Sequence, residues 1–461
     1  MTEQLQPLVV GAGPAGIRAA QALVRGGLRP VIIDEGYACG GQIYRQPLVA
    51  DGRDGQARYG SEADKAAGLH AAFAALGSQI DYFPNSLVWN LRDGFADIAT
   101  GRNYRRIPYD GLIMATGATD RILPVPGWTL PGVFTLGGAQ IALKTQGCSI
   151  GKLVVFAGTG PLLYLVAWQY LKVGINVAAV LDASRFLVKA RLMVGLLSRP
   201  SIVLRGLRFA AELRMRGVKL HHGIDCLRFE GQSRIESVSW RSIGRTHRLP
   251  CDGAGYGLAL RSETQLADIA GCNFRFDKRD RAWLPVKDIS GRTSLRSVYV
   301  AGDGSGIVGA DAAEWAGERA ALALCEDRGI TVPQSRVATL EGRLRRVDRF
   351  REHLESAFPF PAHWASRLED DTQICRCEEV TVGTARQVRD QFGVTEINRL
   401  KALSRVGMGR CQGRMCGAVA AELLAQETGR NIDAVGRLRS QPPVKPLALT
   451  QVVAASAGSI K

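Results

Sequence analysis

No stretch of the 461 residues is both long and apolar enough to cross a bilayer. The longest apolar run, PLLYLVAWQYL at 161–171, falls far short of the roughly 20 residues a spanning helix needs. The N-terminus, MTEQLQPLVVGAG, lacks a basic leader and an apolar core of secretory length, and it enters a strand almost at once. Both absences predict a cytoplasmic protein, in which cysteines serve as metal ligands or reactive thiols rather than structural disulfides. Acidic residues are under-represented, 43 against 59 basic, for a net charge of +16. Yet no helix-turn-helix or RNA-recognition pattern accompanies the arginine clusters at 205–219 and 342–353. That excludes nucleic acid as the expected partner and leaves a solvated surface or a docking face for an acidic partner subunit.

Apolar residues make up 46% and charged residues 22%, the profile of a soluble globular protein, and the length suits two to four domains. Glycine is abundant, 53 residues, much of it in turn-like clusters. This points to an α/β chain with many tight strand-to-helix turns. Residues 7–35 read as strand, Gly-rich turn, helix and strand, and 152–182 repeat that plan, so two dinucleotide-binding-type folds are expected. Between them, YDGLIMATGATDR at 109–121 reads as a buried strand ending in a Gly turn, and 296–322 as a further strand–turn–helix unit. A charged linker is expected over about 335–370, followed by a small cysteine module and a Pro-containing tail that is either disordered or a strap for another subunit.

The first motif, Gly11-x-Gly13-x-x-Gly16, follows a strand and opens a helix. Gly11 permits the tight turn, Gly13 admits a pyrophosphate to the backbone, and Gly16 lets helix and strand pack closely. Pro14 and Ala15 lie in the same turn, and the helix N-terminus offers donors and a positive dipole end. Asp34 or Glu35 stands where a ribose-binding acid belongs. CGGQIYRQ at 39–46 adds Gly41, Gln42 and Arg45, and VYVAGDGSG at 298–306 places Gly302 and Asp303 at a strand end before a helix. With the ATG turn (Thr116, Gly117) and the AGD turn, the chain resembles the two-dinucleotide-binding-domain flavoproteins of the glutathione- and thioredoxin-reductase type over roughly residues 7–325. The resemblance implies FAD held by these residues.

The second motif, Gly158-Thr-Gly160-Pro-Leu-Leu163, has leucine where a third Gly or Ala should stand. Asp182 ends its second strand. It is expected to be a retained fold that does not take NAD(P)H; a working NAD site is the alternative. No pair of redox cysteines stands beside the flavin motifs. Cys39 is alone before Gly40, a packed residue or a reactive thiol, so disulfide reduction is not expected. His221 and His222 fall on a strand and read as surface or packing residues. Cys148, Cys226, Cys251, Cys272 and Cys325 read as buried hydrophobes, and Trp168 and Trp315 as core.

Four of the ten cysteines gather near the C-terminal end as Cys375-x-Cys377 and Cys411-x₄-Cys416. The stretch between them has helical periodicity broken by Gly, enough for a short helical pair presenting both turns to one point. Four thiolates together need a cation or cluster. Zinc, a [2Fe–2S] cluster, a disulfide pair or inert thiols are the alternatives; the tight C-x-C suits zinc less well. The stretch CRCEEVT…GRCQGRMCG resembles the bacterioferritin-associated-ferredoxin-like [2Fe–2S] domain, which favours the iron–sulfur reading.

Taken together, GAGPAG, DEG..CGGQIYRQP, AGTGPLL, AGDGSGIVGA, CRCEEVT and CQGRMCG resemble the A (α) subunits of heteromeric opine oxidases of the octopine and nopaline type. Related subunits occur in hydroxyproline dehydrogenase and hydrogen cyanide synthase. The resemblance implies a discontinuous FAD-binding domain at 1–125 and 250–335, and an NAD(P)-binding-like domain at 126–249. It implies further a linker at 336–370, a [2Fe–2S] domain at 371–430 and a tail at 431–461 that contacts another subunit. It implies an electron-transfer subunit whose partners are a sarcosine-oxidase-like flavoprotein β subunit, a small ferredoxin-like [2Fe–2S] γ subunit, and an acceptor such as quinone. An FMN at a subunit interface and peripheral seating at the inner membrane are left open. No catalytic residue is assigned, because no His/Asp/Arg constellation stands beside the flavin motifs. The alternatives are a subunit of a D-hydroxyproline or proline dehydrogenase or of a glycine-oxidising hydrogen cyanide synthase, a stand-alone NAD(P)H-dependent FAD reductase, and a zinc-holding docking module.

Overall fold

The computed structural model describes residues 6–48, 52–185, 200–361 and 364–448. The chain divides into two units. The first comprises 1–119, 261–349 and 439–461, and the second 120–260 and 350–438.

In the first unit, strand β1 (Gln6–Val10) runs parallel to β2 (Val31–Ile33), which pairs in parallel with β3 (Asp81–Phe83). On its other side β1 pairs with the parallel β6 (Asn103–Met114), against which the strand Val298–Val300 also lies parallel. Strands β4 (Ser86–Arg92) and β5 (Phe95–Thr100) extend β6 as an antiparallel meander. The period-two alternation of a sheet buried on both faces is explicit. Leu8, Val10, Val31, Ile33, Leu112 and Met114 face one apolar layer. Val9, Ile32, Ile113 and Tyr299 face another, shared with helices α1 (Pro14–Arg25) and Ala310–Asp327. Pro14 sits in the first turn of α1, where its missing N–H costs no hydrogen bond.

The second unit is built on five parallel strands in the order Lys219–His222, Asn176–Asp182, Leu153–Thr159, Gly253–Leu258, Val133–Thr135. Alternate residues of Leu153–Thr159 again serve two layers. Val154 and Phe156 pack with helices Pro161–Lys172 and Pro200–Met215, while Val155 and Ala157 face the opposite side. That opposite layer is continuous with the cysteine module, since Trp240 and Tyr256 share one apolar core with Cys375, Val382, Leu400, Cys416 and Leu423. Trp128 Nε1 donates to the Gln373 carbonyl at 2.7 Å within the same unit. The module is thus packed on the second dinucleotide-type fold, an arrangement its sequence does not announce.

The module itself is a hairpin (Gln373–Cys375 with Val380–Thr381) followed by helices Val382–Phe392, Ile397–Ser404 and Gly417–Thr428. Thr381 caps the first helix through Thr384 N–H, and Gly393 ends it in the left-handed region. Glu396 caps the second helix through the N–H groups of Asn398 and Arg399, both at 2.9 Å. The helical pair read between the cysteine turns is therefore present. The stretch read as a charged linker is largely a 24-residue helix, Gln334–Ala357.

Two of the isolated cysteines correct the expectation of burial. Cys148 and Cys226 are exposed, whereas Cys251, Cys272 and Cys325 are buried. Cys148 follows a helix end in a turn, and Cys226 sits at φ 47° where its strand's register shifts. Position overrides the general preference of the residue type. Trp168 is in the core as expected, with Nε1 bonded to Glu212 at 2.8 Å. Trp315 is half-buried under the guanidinium of Arg343. No helix among the described residues is long and apolar enough to cross a membrane.

Candidate functional site

The strand ends of the first unit converge on the Gly-rich turn. Gly11 N–H donates to the Ile33 carbonyl at 2.7 Å, Ala115 N–H to the Val10 carbonyl at 2.8 Å, and Ala301 N–H to the Met114 carbonyl at 3.0 Å. Gly11 has φ +105°, and a Cβ there would lie 2.3 Å from the Ala115 carbonyl oxygen. A Cβ on Gly16 would lie 1.7 Å from the Gly11 carbonyl oxygen. Both positions therefore require glycine, one by conformation and contact, the other by contact alone. Gly41 approaches the same turn backbone to backbone, for its Cβ would meet Gly13 Cα at 2.9 Å. Gly302 packs beside Ala15 on α1, where a Cβ would meet that of Ala15 at 2.9 Å. Gly317 is a further close approach that sequence reasoning missed, its Cβ reaching within 1.9 Å of the Ala15 carbonyl oxygen.

Asp34 and Glu35 are told apart by the structure. Asp34 turns toward the Gly-rich loop and accepts from the N–H groups of Ala12 and Gly36. Burial pushes its carboxyl above the usual range, against the pull of those two donors. Glu35 points outward to Lys445. Arg45 donates to Gln42 Oε1 at 3.0 Å, while its Nε is buried without a partner. Thr116 Oγ1 donates to the Glu263 carbonyl at 2.6 Å, and Glu263 N–H donates to the Gly117 carbonyl at 3.0 Å. Glu263, which pins the ATG turn through its backbone, carries no sequence signal. Asp303 Oδ1 accepts from Val308 and Gly309 N–H at 2.7 and 2.9 Å and so shapes the approach to helix Ala310–Asp327. A glycine cradle, a helix N-terminus, a strand-end acid and an orphaned guanidinium nitrogen are a donor set that fits a bound dinucleotide.

The second Gly-rich turn is built differently. Leu163 is fully buried at the position matching Gly16. Asp182 is also fully buried, and its carboxylate accepts from Tyr164 Oη at 2.5 Å, Ser184 N–H at 2.9 Å and Ser184 Oγ at 2.6 Å. The acid that would take a ribose is thus bonded to the protein's own side chains, one of them on the helix that follows the turn. His222 Nδ1 lies 3.4 Å from Tyr164 Oη, and His221 packs against Trp240 at 5.0 Å between ring centres. Both histidines are packing residues, as read. Cys39 is buried, and burial pushes its thiol up to about 11, so it is not a reactive thiolate.

In the second unit the four clustered cysteines come together. Cys416 bonds through its thiol to both Cys375 and Cys411, and Cys411 contacts Cys377 in turn. Cys375 and Cys416 are buried and the other two half-buried. The bond from Cys416, with backbone N–H groups of Gly407, Glu378 and Cys377, holds the Cys375 thiol down to about 6. The same partner, with N–H groups of Met415 and Gly413, holds Cys411 down to about 5. Cys416, donating to both, is pushed far up. Sulfur atoms held as thiolates and surrounded by N–H donors are the chemistry of a metal-cluster ligand set. Among the described residues no three His, Cys, Asp or Glu side chains converge to hold a single ion. A chain of thiol contacts is instead the layout of a binuclear site that takes two thiolates per metal. Leu438, also missed from sequence, packs its Cδ1 where Cβ atoms on Gly407, Gly413 and Gly417 would otherwise lie, at 2.6, 2.7 and 3.0 Å. These three glycines frame Cys411 and Cys416, so one leucine steadies the whole ligand loop.

Known proteins match both halves of this description. Residues 6–320 match the family model Pyridine nucleotide-disulphide oxidoreductase, and 372–457 match the Sarcosine oxidase A3 domain. The A-type subunit of opine oxidase from Rhizobium meliloti is 36% identical over 96% of this chain and 86% of its own length. The HcnB subunit of hydrogen cyanide synthase from Pseudomonas aeruginosa is 35% identical over 96% and 97%. Among solved structures, L-proline dehydrogenase from P. horikoshii superposes with a TM-score of 0.69 at 19% identity, over 97% of this chain and 79% of that one, and shares the fold. The architecture is that of a two-dinucleotide-binding flavoprotein, which implies FAD. The chain belongs to the pyridine nucleotide-disulphide oxidoreductase family and, within it, to the A-type subunits of the opine oxidases.

Proposed function

We propose that this chain is the electron-relay subunit of a heteromeric dehydrogenase that oxidises the C–N bond of an opine such as octopine or nopaline. The bond is broken on a sarcosine-oxidase-like partner, and electrons leave toward an acceptor such as quinone. The observation that carries this reading is the four-thiol cluster in a chain that also holds a dinucleotide cradle. FAD supplies a carrier that exchanges two electrons on one side and single electrons on the other, and a [2Fe–2S] cluster supplies a one-electron carrier. The protein's own task is to hold them. Gly11, Gly13, Pro14, Ala15 and Gly16 seat the pyrophosphate, Asp34 the ribose, and Gly41, Gln42, Arg45, Thr116, Gly117, Gly302 and Asp303 the remainder. Cys375, Cys377, Cys411 and Cys416 ligate the cluster.

Identity with the opine oxidase relative over nearly the full chain supports the substrate class. The internally bonded Asp182 supports a second dinucleotide fold that does not take NAD(P)H. Partner docking finds support on helix Pro200–Met215. There Leu204, Leu207 and Met215 are 65%, 51% and 77% exposed beside Arg208 and Arg214, a composition of aliphatic, Met and Arg typical of an interface with another subunit. The expected result for the isolated, purified chain is a flavin that neither octopine, nopaline, NADH nor NADPH bleaches in anaerobic stopped flow, while dithionite does. Turnover of an opine by this chain alone would refute the relay role.

A further inference from the structure

The C-terminal segment beyond Leu438 belongs to the first unit and is bound there by a dedicated set of contacts. Ser440 N–H donates to Asp268 Oδ2 at 2.7 Å, and Arg439 reaches the other oxygen of that buried carboxylate at 3.4 Å. Val444 N–H donates to the Trp89 carbonyl at 3.1 Å. The Val444 side chain, 2% exposed, lies in the apolar layer formed by Leu8, Val10, Val31 and Ile33. Those are the inward residues of β1 and β2, the two strands whose ends carry the Gly-rich turn and Asp34. One residue on, Lys445 pairs with Glu35.

We infer that Arg439–Lys445 is a strap that sets how tightly FAD is retained, with Lys445 as a positioning residue that neutralises Glu35 beside Asp34. The inference rests on the FAD reading above. Asp34 is useful to a ribose only as a carboxylate, and it is buried next to a second acid. An uncompensated Glu35 pushes the Asp34 proton affinity up, adding to the effect of burial, while Arg45 works in the opposite sense. Lys445 cancels the Glu35 charge where it arises. Val444 holds the ammonium in place by burial, so the pair does not depend on a freely moving tail.

The test is a double-mutant cycle on the full-length holoprotein, read as the rate of FAD release from the rise in flavin fluorescence after dilution. Lys445→Gln is expected to speed release roughly two- to fivefold, the size of an exposed ion pair. In a Glu35→Gln background the same change is expected to do nothing further. Val444→Asp, which undocks the strap, is expected to speed release by about tenfold or more. Iron content and far-UV circular dichroism should stay at the wild-type level, and should Val444→Asp fail to fold, the cycle alone decides. A Lys445→Gln protein that releases FAD at the wild-type rate, or an effect of equal size in both backgrounds, overturns the strap alone. A wild-type chain purified without FAD overturns the strap together with the reading beneath it.

Discussion

Cys416→Ser is expected to empty the cluster site while leaving the flavin in place. Cys416 is 1% exposed and is the node through which Cys375 and Cys411 are joined. Serine at this position offers a harder, shorter ligand that stays protonated, so one of four thiolates is lost from the centre of the set. Changing groups that merely orient a ligand typically weakens metal binding about 10–100-fold, and removing the ligand itself should exceed that. Iron in the purified protein should therefore fall to background, together with the visible absorbance of the cluster. The FAD content should not change, because every proposed FAD residue belongs to the other unit. Cys226→Ser is the matched control: an exposed, solitary thiol whose loss should leave both cofactors at wild-type levels. Retention of full iron content in Cys416→Ser would remove this residue from the ligand set.

Gly16→Ala is expected to abolish FAD retention and to cost about 3 kcal/mol or more of stability, since a methyl inserted 1.7 Å from a carbonyl oxygen must displace backbone. The displaced group is the Gly11 carbonyl, inside the turn that would face the pyrophosphate, so the stability loss and the binding loss share one cause. Thermal unfolding and flavin content of the purified variant measure the two effects. Gly68→Ala calibrates them: Gly68 lies inside helix Ala63–Ala74 with nothing within 4 Å of an added Cβ. The helix should gain up to about 1 kcal/mol there, with FAD unaffected.

The contrast between these two glycines shows what a sequence displays and what it hides. Gly16 is legible because a fixed spacing after an apolar strand leaves little choice of conformation, and the same logic found both dinucleotide-type folds. The cysteine spacing and the Gly-broken helical stretch likewise foretold a helical pair with the thiols drawn together. Asp34 and Glu35 were not separable, because which of two adjacent acids turns inward depends on the register of the strand end. The Tyr164–Asp182 contact was equally invisible, as it joins a helix to a strand end across the fold. Leu438 resembles any apolar residue in a polar tail until the three glycines it fills are brought around it. The tail itself has too few apolar residues to pack alone. Its fixed position comes from Asp268 and a gap for Val444, both formed by residues distant in the chain.

One measurement bears most directly on the central claim that an organic and an inorganic electron carrier share this polypeptide. It is the joint determination of flavin, iron, acid-labile sulfide and zinc in the singly expressed, anaerobically purified chain, with a low-temperature EPR spectrum after dithionite reduction. The account predicts about one FAD, two irons and two sulfides per chain and an EPR signal from the reduced cluster. A colourless protein carrying only zinc, or a flavoprotein free of iron with its four thiols open to alkylation, would contradict it.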